Sequence, residues 1–246
     1  MSAPIEYAVE TDRLTRRFGD FVAVDHVTLR IPKGHLYGFL GLNGAGKTTT
    51  IRMLTTLLPP SAGTAKLWGH DVIANPLAVR SLVGLVSDET RESQSTWTAR
   101  EYLGYFARIR HLPDPGGEVE RLLDQVGLAA TFRGTLIGNY STGMKRRVEI
   151  ARALMGNPKV LFLDEPTRGL DLPAKRETWK LLRDLAAQEQ VTTFLSSHDA
   201  QEIRSLCTEV SVIALGKLVY TGATRELGAD LDIFEERLIK LLTQQG

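Results

Sequence analysis

Eight consecutive residues, Gly41-Leu42-Asn43-Gly44-Ala45-Gly46-Lys47-Thr48, fit the pattern G-x-x-x-x-G-K-[ST]. The chemistry this spacing permits is the gripping of a phosphate chain. Glycines leave no Cβ between backbone N–H groups and an anion. A helix starting where the loop ends aims its positive end at the same point. Lys47 adds a point charge for the β- and γ-phosphates, and Thr48 offers a hydroxyl to Mg²⁺. A second group lies far along the chain, where residues 160–163, Val-Leu-Phe-Leu, run into Asp164-Glu165. A strand ending this way delivers Asp164 to a Mg²⁺ shell and Glu165 to an attacking water as proton acceptor. Alone, such a pair is equally explained by a strand end meeting a solvated turn. Downstream of a glycine loop, the two supply both halves of a nucleoside triphosphate site.

Each group needs an element behind it. Val27, Leu29 and Ile31 alternate with polar residues and predict a half-buried strand, and residues 36–40 predict a buried one just before the loop. After the loop, Ile51, Leu54, Leu57 and Leu58 recur at helical spacing until Pro59-Pro60. Strand, glycine loop and helix is the order a phosphate-binding turn requires. Thr98 and Glu101 predict a capping box ahead of Tyr102, Leu103 and Phe106. Val119, Leu122, Leu123 and Val126 form one apolar helix face closed by Gly127, and Met144, Val148, Ala151 and Met155 form another. Residues 88–157 therefore read as a mostly helical insertion. Strands return at 160–163 and 192–195, with a helix between them that starts near Pro173 and turns Trp179, Leu182 and Leu185 inward. Apolar runs flanking Gly216-Lys217 signal a hairpin, and Ile233, Phe234, Arg237, Leu238, Leu241 and Leu242 an amphipathic helix. Alternating strands and helices predict an α/β fold with a largely parallel sheet and its chemistry at the carboxyl edge.

Composition narrows the function. The 246 residues suit one large domain or two small ones, and 43% hydrophobic with 24% charged residues is ordinary for a globular protein. A net charge of +1 argues against a dedicated nucleic-acid partner, whose affinity rests on excess Lys and Arg. The single cysteine, Cys207, excludes a disulfide framework within the chain and reads as a small core side chain. No apolar run reaches the ~18–20 residues of a membrane span, and residues 1–12, with Glu6, Glu10 and Asp12, do not read as a signal peptide.

Between the two halves of the site stands Tyr140-Ser141-Thr142-Gly143-Met144-Lys145-Arg146-Arg147, just before a predicted helix. Ser141 suits an N-cap, Gly143 permits close backbone approach, and the basic run reads as a solvated helix face. With these motifs in this order, roughly residues 7–222 resemble the ATP-binding subunits of ABC transporters. Tyr-Ser-Thr-Gly-Met looks like the signature found in subunits that energise ABC-2-type exporters. The resemblance implies a P-loop NTPase core with a parallel sheet, an antiparallel β subdomain and a helical subdomain at about 88–157, followed by a short helical tail at 223–246.

It also implies roles. ATP and Mg²⁺ would be the cofactors, with Gly41, Asn43, Gly44, Ala45, Gly46, Lys47, Thr48 and Thr49 around the phosphates. Lys47, Glu165 and His198 would be catalytic, His198 resembling the family's switch histidine. Ser141 and Gly143 would contact the γ-phosphate held by a second copy paired head to tail, and Asp171, in Gly169-Leu170-Asp171, would lie in the loop joining the two sites. Phe18, 29 residues before Lys47, matches the position where the family stacks an aromatic ring on adenine, with a core phenylalanine as the lesser alternative.

Thr48, Asp164 and Asp88 would surround the metal. Here the chain departs from the family, which usually shows Pro-Gln where this sequence has Ser87-Asp88. Asp88 binds Mg²⁺ directly, binds it through a water, or yields the position to Glu89. Leu42 replaces a frequent proline at a position that contributes backbone. The segment through Trp97 and Tyr102 resembles the groove that receives a helix of the membrane subunit, although both aromatics could equally pack the insertion. The implied partners are a transmembrane permease and a second nucleotide-binding subunit, and the implied place is the cytoplasmic face of the cell membrane, peripheral through the permease. An ABC ATPase without a transport role and an importer subunit are the alternatives.

Overall fold

Residues 7–87, 95–189 and 191–243 are described by the structure, a computed structural model. Strands β1 (Tyr7–Phe18) and β2 (Phe21–Pro32) form a long antiparallel hairpin, closed by Gly19 at φ +57°. With β4 (Ala62–Leu67) and β5 (His70–Asp71) they make a four-stranded antiparallel sheet in the order β2-β1-β4-β5. Val27, Leu29 and Ile31 are buried as the alternation predicts.

The second sheet has the order β10-β9-β3-β8-β7-β6. Its strands are β3 (Leu36–Leu40), β6 (Val83–Val86), β7 (Val160–Asp164), β8 (Thr192–Ser197), β9 (Glu209–Ala214) and β10 (Lys217–Ala223). All neighbours are parallel except β10, which pairs antiparallel with β9. Every residue of β3, β7 and β8 is buried, because a central parallel strand is covered on both faces. Alternate residues divide between two cores. Tyr37, Phe39, Phe162 and Phe194 join the antiparallel sheet and helix α1 (Lys47–Leu54) on one side. Leu161, Leu163 and Leu195 join helices α5 (Thr142–Leu154), α6 (Leu172–Glu189) and α7 (Ala200–Leu206) on the other. The fold is thus α/β, with a parallel sheet, an antiparallel β part and a helical part, as expected.

Helices α3 (Ala99–Ile109) and α4 (Pro115–Gln125) pack with α5. The Thr98–Glu101 capping box is present, with each residue's side chain accepting from the other's backbone N–H. Trp97 lies edge-on to Tyr105, which in turn abuts Phe106. Cys207 is buried at the end of α7, and burial pushes its thiol well above the ordinary range. Helices α2 (Pro76–Leu82), α8 (Thr224–Leu227) and α9 (Leu231–Thr243) complete the described chain.

Four expectations change. Helix α1 ends at Leu54 rather than near Pro59: Thr56 takes φ +63°, and the N–H groups of Leu57 and Leu58 both turn back to the Arg52 carbonyl. The hairpin turn is Leu215-Gly216, both at positive φ, and Lys217 already belongs to β10. Such mirror-image turns suit the twist of the strands that they join. The basic run is not a solvated face. Arg146 is 2% exposed and forms a 2.8 Å ion pair with Glu149, one helical turn on and equally buried. Arg147 donates to the carbonyls of Val126 and Gly127 and pairs with Glu177. Finally, the place at the cytoplasmic face of the membrane is corrected. Among the described residues no helix is long and apolar enough to cross a membrane. The amphipathic α9 turns Phe234 and Leu238 into the protein core.

The buried pair yields a stability prediction. Glu149→Ala leaves the Arg146 charge in the core without its ion-pair partner and should cost about 3–5 kcal/mol in chemical denaturation. Replacing both residues together, Arg146→Met with Glu149→Leu, should recover most of that loss.

Candidate active site

Strands β3, β8 and β7 lie side by side and parallel, so the segments leaving their carboxyl ends meet. The loop 41–46 leaves β3. At Gly41 and Gly46 a Cβ would come within 2.5 Å of the carbonyl oxygens of Ile213 and Ala23. Gly46 also takes φ +109°, a conformation that only glycine adopts at little cost. The loop is anchored from outside: Gly216 N–H donates to the Ala45 carbonyl at 3.0 Å, and Asp25 N–H donates to that of Gly216 at 2.8 Å. Helix α1 begins at Lys47 with no acidic residue in its own first turn, so no side chain of that turn offsets its positive end.

Lys47 is 6% exposed. Its Nζ donates to the carbonyls of Gly41 at 2.7 Å and Leu42 at 3.1 Å, and lies 3.1 Å from Glu165 Oε1. Thr48 Oγ1 donates to Asp164 Oδ2 at 2.7 Å, and Ser196 Oγ donates to Asp164 Oδ1 at 2.5 Å. The parallel register pairs Asp164 with Ser196. One residue on, Glu165 takes φ +51°, and its N–H donates to the Ser196 carbonyl at 3.1 Å. Glu165 Oε2 lies 2.7 Å from His198 Nδ1, and nearly half of the His198 side chain is exposed. An ionised carboxylate only accepts, so Nδ1 carries the proton in this contact. Glu165 is thus held between a cation on one oxygen and an imidazole on the other.

A cavity of about 500 Å³ opens over this cluster, within the size range of small-molecule sites. Phe18 and Phe21, then Asn43, Gly44, Gly46, Lys47, Thr48 and Thr49 of the glycine loop and the start of α1, and Glu165 with Arg168 contribute to its lining. Phe18 is 47% exposed and stacks beneath the Arg16 guanidinium at 4.6 Å, so it is no core residue. A second cavity of about 160 Å³, lined by Thr48, Asp164 and Ser87, adjoins the first. Larger is a cavity of about 720 Å³ at the opposite, amino ends of β3 and β9, by His35 and Glu209. Its lining includes none of the clustered residues.

Not every predicted residue converges. Ser141 caps α5, its Oγ accepting from Met144 N–H at 3.2 Å. Gly143 lies against the start of α6, where a Cβ would stand 3.1 Å from that of Ala174. Asp171 accepts from Ala174 N–H at 2.9 Å. None of the three lines the cavities beside Glu165. Asp88 lies outside the described residues. Sequence reasoning missed Phe21, Ser196 and Glu202. No sequence signal marks Ser196, which the β7–β8 register sets opposite Asp164. Glu202 sits in the first turn of α7, capped by Asp199, where an acidic residue reads as ordinary helix chemistry. Glu202 is 1% exposed, and burial pushes its carboxyl up against the opposing pull of its hydroxyl and indole donors.

Thr48 and Asp164 present adjacent hard oxygens, the donor type that Mg²⁺ prefers. The glycine loop with Lys47 presents amides and a cation to a phosphate chain. The arrangement therefore fits a magnesium–nucleotide complex.

Known proteins agree with this geometry. Residues 24–168 match the family described as ABC transporter. The chain is 38% identical over 225 residues to the daunorubicin resistance ATP-binding protein DrrA3 of Streptomyces coeruleorubidus, covering 91% of this chain and 70% of that one. It is 39% identical over 211 residues to the bacitracin transport ATP-binding protein BcrA of Bacillus licheniformis, covering 86% and 68%. The structure of cbiO1 from Clostridium perfringens, part of the ABC transporter complex cbiONQ, superposes with a TM-score of 0.85 at 25% identity over 98% of this chain and 97% of that one. Motif order, site geometry and relatives agree, and the chain belongs to the ABC transporter family as one of its ATP-binding domains.

Proposed function

We propose that the chain hydrolyses ATP with Glu165 as general base, works as a head-to-tail pair of nucleotide-binding domains, and powers export through a separate transmembrane permease. The observation that carries the hydrolytic part is the position of Glu165, 3.1 Å from Lys47 Nζ and 2.7 Å from His198 Nδ1, in the lining of the cavity that the glycine loop also lines.

Glu165 accepts the proton of the attacking water while that oxygen bonds to the γ-phosphorus and the bond to the β-phosphate oxygen breaks. Lys47 and the amides at the start of α1 face the negative charge of the phosphates. Because they are already held in place, little reorganisation accompanies the reaction. Thr48 and Asp164 would hold Mg²⁺, which when bound would offset phosphate charge. His198, with Nδ1 on Glu165, would orient the γ-phosphate through Nε2, which donates to a phosphate oxygen when the ring carries its second proton there. Phe18 and Phe21 offer ring faces to the adenine.

Ser141 and Gly143 stand at the start of α5, away from their own chain's cavities, and this supports their action on nucleotide held by a second copy. A two-fold pair would let each chain lend these residues to the other, with Asp171 in the loop between the sites. Two relatives named for daunorubicin resistance and bacitracin transport support export as the work done. Residues 1–222 would form the ATP-binding domain, with the helical subdomain at about 88–157 and the tail at 223–246.

Removing the Lys47 charge by Lys47→Ala should weaken ATP binding about 10- to 100-fold in calorimetry. Unchanged affinity would move the phosphate site elsewhere. Glu165→Gln should retain ATP affinity, lower kcat about 10²- to 10⁴-fold, and accumulate as a nucleotide-bound dimer in size-exclusion chromatography. Parent-like turnover would place the base on another residue. Recovery of the chain together with a multi-span protein from its host would support the permease pairing. Consistent recovery without one would overturn it.

A further inference from the structure

We infer that Glu202 is a positioning residue of the hydrolytic site, its buried carboxylate joining the turn that carries Glu165 to the strand end that carries His198. This rests on the ATP-hydrolysing reading above and adds a residue that never lines the cavity around Glu165. Thr167 Oγ1 and Trp179 Nε1 donate to Glu202 Oε1 at 2.7 and 2.9 Å. Ser197 Oγ donates to Glu202 Oε2 at 2.6 Å. The three donors come from three separate elements. Thr167 lies two residues beyond Glu165, in a turn closed by Arg168 N–H to the Glu165 carbonyl at 3.1 Å. Ser197 immediately precedes His198 at the end of β8. Trp179 lies on α6, the helix that follows the Gly169-Leu170-Asp171 loop.

The directions of these hydrogen bonds are determined by chemistry. An indole N–H only donates, so Oε1 must accept from Trp179. Ser197 Oγ accepts the Asp199 N–H at 3.0 Å and donates its hydroxyl hydrogen to Oε2. In this arrangement both oxygens of Glu202 accept. A buried charge is tolerated only when such donors surround it. Here they are neutral groups, and each belongs to a segment bearing part of the site. Holding Thr167 and Ser197 on one carboxylate sets the distance between the two segments, and with it the Glu165–His198 contact.

Glutamine at this position tests the inference with little change of volume. Its carbonyl must stay with Trp179, so its NH₂ faces Ser197 Oγ, reverses that hydrogen bond and leaves the Ser197 hydroxyl hydrogen without its carboxylate acceptor beside His198. Ser197→Ala removes the same bond from the other side and keeps the test open should Glu202→Gln fail to fold. In steady-state ATP hydrolysis by the full chain, either variant should lower kcat about 10- to 100-fold while KM for ATP stays within about twofold. Neither should add to the loss caused by His198→Ala, because all three act on the same contact. Parent-like kcat in a folded variant, a proportional change in KM, or losses that multiply with His198→Ala would overturn the role of Glu202. A parent chain that hydrolyses no ATP would instead defeat the functional reading itself, and this inference with it.

Discussion

Parallel hydrogen bonding of β8 to both β3 and β7 is the constraint from which the site follows. In a parallel sheet all chain ends of one kind lie along one edge. Thr48 of the glycine loop and Asp164 are 116 residues apart and Glu165 and His198 33 residues apart, yet the three segments leave neighbouring strands at that edge. The pairing of Asp164 with Ser196 brings the next residues, Glu165 and Ser197, alongside, and His198 then reaches Glu165. A slip of one residue would turn the alternate side chains of β7 to the opposite core and carry the carboxylates with them.

Around this edge the protein buries charge, and each charged group has a partner. Lys47 is held by two carbonyls and Glu165, Asp164 by two hydroxyls, Glu202 by two hydroxyls and an indole, and Arg146 by Glu149. Charge is costly to bury without such company. Lys47 is further bound to its own loop, so the cation that faces the phosphates also shapes the backbone that would grip them.

The outward placement of Ser141, Gly143 and Asp171 has a different origin. Gly143 and Asp171 both abut Ala174, so the start of α5 and the start of α6 are packed together. These residues form a surface of their own beside α6, while the phosphate loop belongs to β3 and α1. In the proposed two-chain site these residues would face a partner's phosphate loop instead of their own.

Much of the arrangement was legible in the chain because it is written in local chemistry. Close glycines before a lysine describe an anion loop, since only glycine fits the positive φ and the tight approach to neighbouring carbonyls. The all-apolar runs of β3 and β7 announce strands covered on both faces. The Thr98–Glu101 box follows from spacing that the first turn of a helix imposes. These signals depend on residues adjacent in sequence, and the sequence by itself determined them. Only the tertiary structure decided that Arg146 is buried beside Glu149, that α1 stops at Leu54, that Ser196 hydrogen-bonds Asp164, and that Glu202 gathers Thr167, Trp179 and Ser197. Each of these depends on which segment lies opposite, and a polar side chain carries the same letter whether water or a buried partner satisfies it.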